Sequence, residues 1–81
     1  MDFTELPKDF FLDIENNEFL LGRITINQYK SSFTSEIDIV TKESMKIYKH
    51  VDSLFDLEDP KEALDQSVFR LQNFLHELSK G

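Results

Sequence analysis

The chain has 81 residues, with sixteen acidic against nine basic side chains and a formal net charge of -7. One domain is the expectation, spanning 1–81. A chain this short buries only about 60–65% of its unfolded surface. The charge argues against direct contact with nucleic acid or an anionic membrane, both polyanions, and favours a basic partner or plain solubility. With no cysteine, neither disulfides nor thiolate metal sites can staple the fold. No apolar run reaches the roughly 18–20 residues of a membrane helix. Met1-Asp2-Phe3-Thr4-Glu5 is acidic where a signal peptide is basic, so a cytoplasmic protein is the simplest expectation.

In chain order, the apolar spacing reads mostly as helical, and two glycines and two prolines are few for a turn-rich all-β chain. A first helix is expected from Pro7 to Leu21. Phe10, Phe11, Ile14, Leu20 and Leu21 form its stripe, Phe3 or Leu6 packs back as a staple, and Gly22 acts as the stop. Thr25-Ile26-Asn27-Gln28 matches a capping box and opens a second helix, from about Ile26 to Ser35 or on to Val40. Ile37 to Thr41 alternates like a strand, but an isolated strand has nothing to pair with, so it reads as helix end or loop. A third helix is expected from Lys42 to Leu57.

Asp59-Pro60 then signals a helix start, with Asp59 as N-cap, Pro60 at the first position and Glu62 at the third; Asp65 is the alternative cap. Leu64, Val68, Leu71, Leu75 and Leu78 repeat at helical spacing and give the strongest periodic signal in the chain. The fold class expected is all-α, a small antiparallel four-helix bundle.

Chemistry is sparse. His50 and His76 lack partners in a metal-ligand spacing and read as surface or boundary residues. No nucleophile turn or glycine-rich phosphate loop exists, and an EF-hand reading of residues 52–65 fails for want of its glycine. No enzyme activity, catalytic residue, metal or cofactor is expected. Most phenylalanines, including Phe10, Phe11, Phe33, Phe55 and Phe74, read as core. Phe69 is the exception, off the main stripe and suited to anchoring an interface.

The segment Asp52 to Asp65 stands apart. Asp52, Asp56, Glu58, Asp59, Glu62 and Asp65 face one cation, Lys61. Helix-start chemistry explains Asp59, Glu62 and Asp65. Asp52, Asp56 and Glu58 fall at the expected C-terminal end of the third helix, where negative charge opposes the helix dipole and hints at binding. With Phe69, these six acids are the expected partner-binding residues.

Two stretches, Glu18 to Tyr29 and Asp52-Ser53-Leu54-Phe55 with the acidic turn and the Asp65 to Leu75 helix, resemble the colicin D immunity family of small bacterial self-protection proteins. Ile37 to Ser44 departs from that pattern. The resemblance implies a four-helix antiparallel fold. It also implies one-to-one inhibition of a basic tRNA-cleaving nuclease toxin domain by a chain that is monomeric when free. Asp52 matches by position the acid before the family's Leu-Phe pair. An RNA-binding enzyme presents a cationic groove, and a rigid acidic surface competes for it by charge complementarity. The alternatives are a nucleic-acid mimic acting on a DNA-binding enzyme, and a small structural or chaperone protein.

Overall fold

Period-two alternation, not helical spacing, organises the first two-thirds of the chain. A computed structural model describes residues 5–80. The described residues form four strands, β1 (Lys8–Ile14), β2 (Asn17–Tyr29), β3 (Ser32–Thr41) and β4 (Ile47–Leu57), then one helix, α1 (Pro60–Lys80). The strands make an antiparallel meander in the order β1-β2-β3-β4. Half-burial alternates residue by residue along β1. In β2 and β3, Ile24, Ile26, Ile37 and Ile39 point to one face, where α1 covers them. These β-branched pairs suit a pleated, half-buried surface.

The four-helix bundle is therefore overturned: three of the four expected helices are strands. Phe10 and Phe11 fall on opposite faces of β1. The Thr25 to Gln28 capping box lies inside β2, where the Thr25 hydroxyl donates to Asp9 on β1 at 2.6 Å. The partner that Ile37 to Thr41 was expected to lack is present on both sides, in β2 and β4. The expected third helix is a loop plus β4. The proposed staple residue Phe3 lies outside the described residues, whereas Leu6 packs against the core.

Turns form without glycine. Asn16, Lys30 and Met45, all at φ near 60°, stand in the three strand connections. Gly22 instead sits mid-strand in β2, where a Cβ would come within 2.5 Å of Leu71 Cδ2. Its bare backbone lets α1 approach the sheet.

The final helix forms where its cap and stripe place it. Asp59 accepts from the Lys61 N–H through its side chain at 3.3 Å and from the Ala63 N–H through its carbonyl at 2.9 Å. Ala63, Leu64 and Leu71 are buried, and Val68, Phe74 and Leu75 pack beside them. Leu78 is exposed. Ser67, also buried, donates to the Ala63 carbonyl at 2.6 Å, so the Ser35 hydroxyl of β3 must donate to Ser67 Oγ. That pair ties α1 to the sheet without an orphaned hydroxyl.

Candidate functional site

One inserted residue in β4 sorts its polar side chains. Ile37 pairs with Asp52 and Asp38 with His50, leaving Val51 as an extra residue opposite β3. In an unbroken strand His50 and Asp52 would share a face. The bulge sends Asp52 toward α1 and leaves His50 on the open face.

On the α1 side a groove of about 640 Å³ opens between β4 and the helix, lined by Val51, Asp52, Asp65, Phe69, Arg70 and Phe74 among others. Asp52 is fixed from two directions: Oδ1 accepts the Ser53 N–H at 2.8 Å and Oδ2 accepts from Arg70 Nη1 at 2.6 Å. The Ser53 hydrogen bond acts most strongly on the Asp52 carboxyl; desolvation opposes it, and the hydrogen bond and charge of Arg70 with the charge of His50 add to it, so the carboxyl is held below the usual aspartate value. Phe69 stands 65% exposed on the helix.

Three of the expected binding residues, Asp52, Asp65 and Phe69, thus meet in one groove. Glu62 lies beside it, accepting from Gln66, another lining residue, at 2.8 Å. Asp56, Glu58 and Asp59 do not line it. They occupy the end of β4 and the connection joining the groove's two walls, with Asp56 at φ 58°. The dipole argument for Asp52, Asp56 and Glu58 falls away, because β4 carries no helix dipole. Phe55, expected in the core, is exposed on β4, and Phe11 is half exposed on β1.

The open face carries a cluster the sequence analysis missed. Asp38 is buried, 4% exposed, although no described element covers that face. His50 Nδ1 lies 2.7 Å from Asp38 Oδ1, and Arg23 Nη2 lies 3.7 Å from Oδ2. Ser53 Oγ lies 3.1 Å from His50 Nε2 and donates to Glu36 Oε2 at 2.7 Å. The hydrogen bond to Asp38 raises the His50 pKa most. Desolvation opposes it, and the charges of Asp38, Glu36 and Asp52 add to it. The signal that could have found the cluster is Glu36-Ile37-Asp38-Ile39: two acids alternating with buried isoleucines must share the opposite face of a strand.

Asp38, His50 and Ser53 lie in the hydrogen-bonded order of a hydrolase triad, but the protons run the other way. In a triad a neutral imidazole accepts from the serine. Here the Ser53 hydroxyl donates to Glu36, so its oxygen is left to accept from His50 Nε2, and both ring contacts of His50 are satisfied together when the imidazole is protonated. In that form the imidazole is paired with the acids around it, and the serine proton is directed to Glu36 rather than to His50. Among the described residues no group of three or more His, Cys, Asp or Glu side chains is arranged to hold a metal ion. No helix among them is long and apolar enough to cross a membrane.

Comparison with protein-family models finds no match, and searches of curated proteins and of solved structures find none either.

Proposed function

We propose that this chain is a cytoplasmic inhibitor that binds a basic nuclease-type protein one to one, its acidic side filling the cationic groove that would hold nucleic acid. The observation that supports this is the gathering of acids along β4, α1 and the connection between them. Asp52 and Asp65 face the groove, Glu62 lies beside it, and Asp56, Glu58 and Asp59 follow the connection between its walls. Residues 52–70 carry six acids against Lys61 and Arg70. Asp52 and Asp56 stand on a strand, and Glu62 and Asp65 on a helix, that pack on one core, so the spacing of these four is held in place before binding. Phe69 supplies apolar contact that slows dissociation, while the charge steers association. The four-helix framework of the colicin D immunity family is no part of this reading, which rests on charge placement.

The test is affinity capture from the source organism at low and high salt, followed by nuclease assay of the captured protein with this chain added back. A basic nuclease recovered preferentially at low salt, and silenced by one equivalent, is the expected result. The triple variant D52N/D56N/E58Q should lose most of that affinity. Unchanged affinity of the triple variant would overturn the assignment of this surface.

A further inference from the structure

We propose that the groove between β4 and α1 is a receptor for an arginine side chain of the basic partner, and that Arg70 is the internal guanidinium holding Asp52 until the incoming arginine displaces it. This rests on the reading of the chain as a binder of a basic protein, and it names the chemistry by which the partner is anchored.

Four observations converge on the groove. Its lining sets two carboxylates, Asp52 and Asp65, against the single guanidinium of Arg70, so one negative charge is left over. Its apolar walls, Val51, Phe69 and Phe74, include two aromatic side chains, against which a guanidinium plane stacks better than a hydrated ammonium. The carboxyl is oriented in advance, because Asp52 Oδ1 is taken by the Ser53 N–H and Oδ2 is left for a guanidinium. Finally, the Arg70–Asp52 pair is a surface contact, its side chains 52% and 39% exposed. Such a pair contributes little to stability and exchanges readily. An incoming arginine covered by the partner's own surface is more desolvated than Arg70, and its charge-assisted bond to Asp52 is stronger.

The contrast with Asp38 excludes the open face as the anchor site. Asp38 is bonded to His50 and paired with Arg23 while buried, so a partner's cation would have to unpack the sheet to reach it.

The experiment is an NMR titration of the isotope-labelled full chain with two synthetic peptides. One carries arginines at alternate positions between valines, and the other has lysine at every arginine position. The equal charge of the lysine peptide controls for general attraction to an acidic protein. The expected result is amide shifts centred on Val51, Asp52, Phe69 and Phe74, with the arginine peptide bound severalfold more tightly. Arg70→Gln should tighten the arginine peptide by about two- to fivefold, the equivalent of releasing one exposed ion pair. Phe69→Ala should weaken it and erase the preference for arginine. A merely structural Arg70 would give weaker or unchanged binding in Arg70→Gln, with a lowered melting temperature. Shifts scattered over the acids with no preference for arginine, or weakened binding in Arg70→Gln, would overturn the inference. Capture of a nuclease that the triple acid variant abolishes would then still support the wider function. Groove-centred arginine binding with no nuclease captured would keep the receptor and remove the nuclease.

Discussion

Asp38 and Asp52 each meet one arginine on opposite faces of the same sheet, and they do different work. Asp38 is buried between Arg23 and His50 on the open face. Asp52 is more than a third exposed and reaches Arg70 from a groove wall. Breaking a buried pair strands a charge in a poorly solvated place, whereas an exposed pair releases its partners to water. Burial, rather than bond length, therefore separates a carboxylate that holds the sheet from one that is available to a partner. The bulge at Val51 creates the contrast by turning His50 and Asp52 to opposite faces.

The largest expected effect breaks the comparison at its buried end. Asp38→Ala leaves Arg23, whose Nε already lacks a hydrogen-bond partner among the described residues, without its carboxylate. The loss should be about 3 kcal/mol, read by denaturant unfolding. A loss no larger than that of Asp52→Ala would erase the distinction. Next comes Gly22→Ala, which drives a methyl into the fully packed Leu71 and should destabilise by about 2 kcal/mol. That figure sets the scale of pure packing on the helix-covered face. Ser67→Ala orphans the buried Ser35 hydroxyl and should lose about 1 kcal/mol, while the double change with Ser35→Ala should recover part of it.

The smallest effects are those of pH, and they sharpen the contrast by sign. His50 titrates above its ordinary 6.5 when folded, so its contribution is complete below that value and is lost as pH rises through the folded pKa. Asp52 titrates below its ordinary 3.8, so its contribution is complete above that value and is lost as pH falls through the folded pKa. Thermal melts across pH should show His50→Gln flattening the alkaline arm and Asp52→Asn flattening the acid arm. The reverse assignment would contradict the geometry.

Local signals were legible and non-local ones were not. The Asp59-Pro60 start and the Leu64, Val68, Leu71, Leu75 stripe depend on neighbours within a turn or two, and the helix forms there. The alternation of Ile37 to Thr41 was visible as well. Its meaning depended on β2 and β4, which lie elsewhere in the chain and were read as helix. Turn chemistry misled because Asn16, Lys30 and Met45 take positive φ where glycine is the usual signal. Of the candidate site, the charge pattern singled out Asp52 and Asp65 and the helical stripe set Phe69 apart, and the three line one groove because residues close in sequence stay close when a strand runs directly into a helix. The Arg23, Asp38, His50 cluster joins three strands, and its form depends on a one-residue bulge that no composition or period reports.

The most direct measurement compares Asp38→Asn and Asp52→Asn side by side, in thermal melts and in the arginine-peptide titration. Asp38→Asn should lower the melting temperature by about 10 °C or more and leave the affinity of the folded fraction intact. Asp52→Asn should leave the melting temperature within a few degrees and abolish groove binding. A thermally fragile Asp52→Asn that still binds the peptide, or a robust Asp38→Asn that does not, would contradict the division of labour between the two faces.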